Sequence, residues 1–188
     1  MLWASFTLAF FGFLRVSEFT AAGPLQFDPA TTLLAQDIVL SSVLEVRLKS
    51  SKTDPYRRGY VLDVGTYSAL RQPGHLSVRS TPLQNTDDPH CLTNTAVPVF
   101  QFADGTWLTR QRLTHYLRKL LVHSGIESAE LYTTHSFRSG AATTAAEAGL
   151  PDWLIKTLGR WRSDAYQVYI KTAKETLDSV PRVLATRK

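Results

Sequence analysis

The stretch from Thr133 to Lys171, TTHSFRSGAATTAAEAGLPDWLIKTLGRWRSDAYQVYIK, constrains this chain more than any other. Thr133 or Thr134 supplies an N-cap for an alanine-rich helix that runs to Gly149. Leu150-Pro151-Asp152 then starts a short helix, WLIKTLGR, and Ser163-Asp164 caps another that carries Tyr166 and Tyr169. Into this compact segment the chain concentrates His135, Arg138, Arg160, Trp161 and Tyr169. That combination suits chemistry on a phosphate.

On a helix, His135 and Arg138 project from the same face near the N-terminus, where unpaired backbone N–H groups favour an anion. Arginine there can donate two parallel hydrogen bonds to phosphate oxygens. A structural alternative stays open from these residues alone: a histidine capping its own helix, and an arginine bridging to Glu147 or a neighbour.

At 188 residues, with 44% hydrophobic and 20% charged residues, the chain has the size and composition of one globular domain, neither disordered nor membrane-embedded. A formal charge of +5 fits a polyanionic partner. The single cysteine, Cys91, excludes an intramolecular disulfide framework, and the five histidines lack zinc-ligand spacing. The apolar run Met1 to Leu14 is shorter than the ~20 residues of a membrane span and lacks a secretory cleavage site, so it reads as a core helix. A chain opening on a core helix leads us to expect a preceding segment.

Arg15 follows this run directly. Either it leaves the core at the surface with Glu18 as its helical partner, or it pairs with something inside a cleft. The helix continues or restarts through Phe19 until Gly23-Pro24. Ile38 to Leu40, Leu44 to Leu48 and Tyr60 to Val64 have strand character, and SSKTDPYRRG forms the turn of a basic hairpin bearing Lys49, Lys52, Arg57 and Arg58. Those charges protect a sheet edge or meet an anion. Gly65 to Pro98 is broken by prolines and carries no element longer than ~8 residues, which makes it a long loop, an insertion or a damaged segment.

Order returns at Val99 to Phe102, turns at Ala103-Asp104-Gly105, and enters a helix capped by Thr109 and ended by Gly125. Leu113, Tyr116, Leu117, Leu120 and Leu121 form its apolar face; Arg110, Arg112, Arg118 and Lys119 form a basic face, solvated or against a phosphate backbone.

FLRVSEF at 13 to 19, SKTD at 51 to 54, HSFRSGAATTAA at 135 to 146 and LGRWRSDAYQVYI at 158 to 170, in this order, resemble the catalytic domain of the tyrosine recombinase (phage-integrase) superfamily. The look is closest to recombinases of DIRS- and Crypton-type eukaryotic mobile elements, and it covers nearly the whole chain except Gly65 to Pro98. The resemblance implies a mainly α fold with a small antiparallel β-sheet, the DNA breaking-rejoining catalytic domain, spanning 1–188 without the N-terminal core-binding domain of the family. By the same resemblance Arg15 is the first arginine, Lys52 the hairpin lysine, His135 and Arg138 the HxxR pair, and Tyr169 the nucleophile. The following His-or-Trp position falls on Arg160 by spacing to Tyr169 and on Trp161 by residue type. Tyr166, one turn earlier, then packs or faces solvent.

The implied activity is cutting and rejoining of double-stranded DNA through a 3′-phosphotyrosyl intermediate, with no metal, nucleotide or other cofactor. Further implied are a homotetramer on DNA, a nuclear location and no membrane association. Two alternatives remain open: a degenerate or domesticated mobile-element fragment that binds DNA without cutting it, and a type IB topoisomerase, which shares the chemistry.

Overall fold

A computed structural model describes residues 1–40, 43–51, 54, 56, 58–66, 96–170 and 185. Lys52, Arg57, most of the proline-broken segment and nearly all of the tail beyond Ile170 lie outside the described residues.

Helix α1 (Leu2–Phe11) is apolar on almost every side and buries Phe6, Leu8 and Ala9. It ends where the Gly12 N–H bonds Leu8 O at 3.0 Å and Phe13 turns into the left-handed region at φ 49°. For a bulky aromatic residue that conformation costs on the order of 1 kcal/mol, so the surroundings must hold it. The chain leaves this turn through Leu14, which is 1% exposed, and restarts as the short α2 (Val16–Phe19).

Strands β1 (Ile38–Leu40), β2 (Val43–Leu48) and β3 (Tyr60–Thr66) form one antiparallel sheet in the order β1-β2-β3. Ile38 pairs with Val46, and Leu48 with Tyr60. Val46 and Leu48 are buried while Arg47 between them is exposed, the alternation of a half-buried strand. The expected strands are therefore present, with β3 running on to Thr66. A backbone bridge joins Leu34 to Pro98, with Ala35 N bonding Val97 O at 2.9 Å.

Helix α3 (Arg110–His123) starts at Thr109, whose side chain accepts from Arg112 N. It buries Leu113 and Leu117 against the main core, each contributing roughly 2 kcal/mol on full burial. Its basic face is less free than a solvated or phosphate-facing face would be. Arg118 donates to Tyr132 O at 3.0 Å and Glu130 O at 2.7 Å, and Arg112 lies 3.7 Å from the Phe102 ring centre and bridges to Asp104. Two of the four cations thus latch neighbouring turns, leaving Arg110 and Lys119 exposed.

Helix α4 (His135–Glu147) packs across α1, with Phe137 stacked on Phe6 at 5.1 Å. Its N-terminal cap is made by Thr133: Thr133 Oγ1 accepts from His135 N at 3.2 Å, and Ser136 Oγ accepts from Thr133 N at 3.0 Å. Small residues on the buried face, Ala141 and Ala142, admit a second core of Phe13, Ile155 and Tyr166. α5 (Asp152–Leu158) follows, and then the expected further helix, a 3₁₀ helix at Asp164–Tyr169; Ser163, expected with Asp164 to cap it, makes no side-chain cap bond. Among the described residues no helix is long and apolar enough to cross a membrane.

Candidate active site

The fold brings residues from both ends of the chain to one point, the surface of the second core. His135 is the first residue of α4 and Tyr169 the last of the 3₁₀ helix; His135 Nε2 and the Tyr169 hydroxyl are 2.7 Å apart. In the Nδ1-protonated tautomer Nε2 accepts from the phenol. Burial, then the charges of Arg138 and Arg15, lower the His135 pKa below its ordinary value, which favours that neutral form at pH 7. Tyr169 is held through its backbone as well. Thr143, two turns along α4 from His135, shares its hydroxyl proton between Ser139 O at 3.0 Å and Tyr169 O at 2.7 Å.

Tyr166, by contrast, is 4% exposed and belongs to the second core, its ring 5.8 Å from that of Trp161. Of the two roles open to it, packing and facing solvent, it takes the first. Trp161 sits at the centre of the aromatic group, 6.3 Å from both Phe13 and Tyr169. Its ring also lies under the Arg138 guanidinium at 4.3 Å, a cation–π contact.

Arg138 is 2% exposed. It neither bridges to Glu147 nor stands free: Nη1 donates to Phe13 O at 2.6 Å and Nη2 to Gly159 O. Its pKa is lowered to about 9, first by burial and then by Arg15 and Arg160, with Glu18 and Tyr169 opposing. A guanidinium so placed demands an anion. The strained turn at Phe13 is explained here too, since its carbonyl is a shared acceptor for Arg138 and, at 3.2 Å, for Arg160 Nη2.

Arg15 keeps the partner of its first sequence reading and the interior placement of its second. It pairs with Glu18 at 3.1 Å, and the pair sits inside the site, where Arg15 Nη1 also donates to Ser51 Oγ at 2.8 Å. Glu18 is the residue that sequence reasoning undervalued. Only 3% exposed, it accepts from Arg15 N at 2.8 Å, Arg15 Nη1, Ser51 Oγ at 2.7 Å and Arg160 Nη2 at 2.9 Å. One carboxylate therefore faces Arg15 and Arg160, with Arg138 close enough to feel it. The available signal was the i, i+3 spacing to Arg15, which predicts an exposed pair rather than a buried hub.

Arg15, His135, Arg138, Arg160, Trp161 and Tyr169 thus converge. The remaining candidate, Lys52, lies outside the described residues; its neighbour Ser51 is bonded into the cluster.

No protein-family model matches the chain, and no curated protein matches its sequence. Solved structures do match its fold. The XerH site-specific recombinase bound to palindromic difH substrate, a post-cleavage complex, superposes with a TM-score of 0.60 over 98% of this chain at 16% identity, covering 45% of the XerH chain. The XerH pre-cleavage complex gives 0.55 over 97% at 18% identity, covering 46% of that chain. The Tn1549 transposon integrase in complex with circular intermediate DNA gives 0.54 over 97% at 17% identity, covering 59% of that chain. This chain has the fold of a recombinase catalytic domain, as the resemblance implied. It spans less than half the length of the XerH chain.

Proposed function

We propose that residues 1–188 form a DNA strand-transferase domain that cuts and rejoins double-stranded DNA through Tyr169. The observation that carries this reading is the 2.7 Å contact of Tyr169 with a neutral-leaning His135, beside Arg138 and the two arginines, Arg15 and Arg160, that share the Glu18 carboxylate.

A phenol with a pKa near ~10 is a poor nucleophile at neutral pH. His135 Nε2 accepts the phenolic proton as Tyr169 Oη attacks the scissile phosphorus. Charge growing on the non-bridging oxygens is met by Arg15 and Arg138, with a donor at Trp161 or Arg160 completing the set. The bond from phosphorus to the 5′ oxygen breaks, and by resemblance Lys52 gives that oxygen its proton. The product is a 3′-phosphotyrosyl link and a free 5′ hydroxyl. Because the link keeps the phosphodiester's energy, a 5′ hydroxyl attacking it reseals DNA with no nucleotide consumed.

The affinity to DIRS- and Crypton-type elements, assembly as a homotetramer and a nuclear location are parts of the same proposal that rest on the motif LGRWRSDAYQVYI and its companions. A nicked duplex that traps the covalent adduct tests the function. Wild type should give a protein–DNA band that Tyr169→Phe lacks. DNA binding without any band would favour the non-cutting fragment, and relaxation of supercoiled plasmid without recombinants would favour a topoisomerase.

A further inference from the structure

We infer that Arg160 is a positioning residue that holds Glu18 and the Phe13 carbonyl in place, and that it does not itself bind the scissile phosphate. This rests on the strand-transfer reading of the site and decides a question that reading leaves open.

A guanidinium has five N–H donors. In Arg160 both terminal nitrogens are fully committed: Nη1 donates to Gly12 O at 3.2 Å and Leu158 O at 3.1 Å, and Nη2 to Phe13 O at 3.2 Å and Glu18 Oε2 at 2.9 Å. The fifth donor, Nε, is buried with no partner among the described residues. A phosphate oxygen could reach either terminal nitrogen only by breaking one of these bonds, and a buried acceptor left behind costs about 1–3 kcal/mol.

The other two arginines differ. Arg15 uses Nη1 alone for Glu18 and Ser51, and its side chain is 18% exposed. Arg138 makes one hydrogen bond from each Nη, to Phe13 O and Gly159 O. Arg15 Nη2 and the second N–H of each Arg138 Nη have no acceptor among the described residues, so both arginines keep terminal donors for a ligand.

The backbone shows the same division. Arg160 has φ 53°, a left-handed conformation that an arginine adopts at a cost of roughly 1–2 kcal/mol. That turn sends its side chain inward to the end of α1 while laying the Trp161 ring against Gly159. Each of three consecutive residues then fixes an arginine of the site. Gly159 O accepts from Arg138, the Trp161 ring lies under Arg138, and Arg160 holds the carboxylate that holds Arg15.

The test compares adduct formation on a nicked duplex carrying an ordinary scissile phosphodiester with the same duplex carrying a neutral methylphosphonate there. Removing the charge relieves the loss of a cation that met it, and does not relieve the loss of a cation that met Glu18. Arg160→Met should slow adduct formation by about 100-fold, the cost of slightly misplaced reacting groups. That defect should be the same on both substrates, whereas the Arg138→Ala defect should shrink on the methylphosphonate. Arg160→Lys keeps an ammonium for Glu18 and should recover part of the rate; it also serves if Arg160→Met fails to fold. Relief of the Arg160 defect by about tenfold or more on the methylphosphonate would overturn the inference.

A second arm needs no turnover. In spectra of protein labelled with ¹⁵N-arginine and titrated with orthovanadate, the Arg15 and Arg138 guanidinium signals should move and that of Arg160 should stay. An Arg160 shift matching Arg138's contradicts the inference. If wild type forms no Tyr169-dependent adduct, the strand-transfer reading falls, and this arm alone decides the role of Arg160.

Discussion

Glu18 and Arg160, separated by 142 positions in the chain, meet at 2.9 Å in the interior, with side chains 1% and 5% exposed. Their ion pair ties the N-terminal half of the site to the C-terminal half, and Arg15 hangs from the same carboxylate.

Neutralising Glu18 while keeping its shape leaves two arginines without their counter-charge. Breaking a buried pair from one side costs about 3–5 kcal/mol. Glu18→Gln should therefore lower the urea midpoint by the equivalent of that loss at an unchanged m-value. A change below about 1 kcal/mol would mean that solvent already screens the cluster.

Gly159 is required by its neighbour. A Cβ there would lie 1.6 Å from Cζ3 of Trp161, so Gly159→Ala must push the indole away from Arg138. The expected result is a destabilisation of about 1–3 kcal/mol, the cost of overpacking, accompanied by a loss of adduct formation. Equilibrium unfolding and the trapping assay measure the two effects. Retention of both wild-type stability and rate would show that the ring is free to move.

Acid should affect both the chemistry and the fold through His135. Its pKa in the folded chain is lowered, by burial first and by Arg138 and Arg15 next. The neutral form, which accepts the phenolic proton in the proposed reaction, is thus favoured at pH 7, and the rate should fall only on acidification below the usual histidine value of about 6.5. The unfolded chain binds this proton more readily than the native one. His135 therefore contributes stability that is fully present above its unfolded pKa and lost as pH falls through the folded one. Titration followed by NMR at the His135 ring should place its midpoint below that of an unstructured histidine, and Arg138→Gln should raise it. A midpoint above the unstructured value would contradict the sign.

Much of the architecture was legible because its signals are local. The Thr109 cap, the apolar face of α3, the alternation in β2 and the glycine and proline breaks after α4 all act over a few residues. Of the two tyrosines that the resemblance set apart, Tyr166 is buried and Tyr169 lies against His135. What could not be read is convergence across the chain. Nothing near Arg138 in sequence announces that it bonds the carbonyl of Phe13, 125 positions away, and nothing near Glu18 announces Arg160. Thr143 and Ser51 escaped for the same reason. Each is an ordinary small polar residue until a distant backbone or carboxylate is brought to it. The fate of the basic face on α3 also depended on turns elsewhere, at Asp104 and Tyr132.

The central claim is that Tyr169, activated by His135, becomes covalently linked to DNA. Incubating the protein with a nicked duplex and resolving the products under denaturing conditions measures it directly. Wild type and Tyr166→Phe should both give a covalent protein–DNA species, and Tyr169→Phe none. A species that persists in Tyr169→Phe and disappears in Tyr166→Phe would contradict the account.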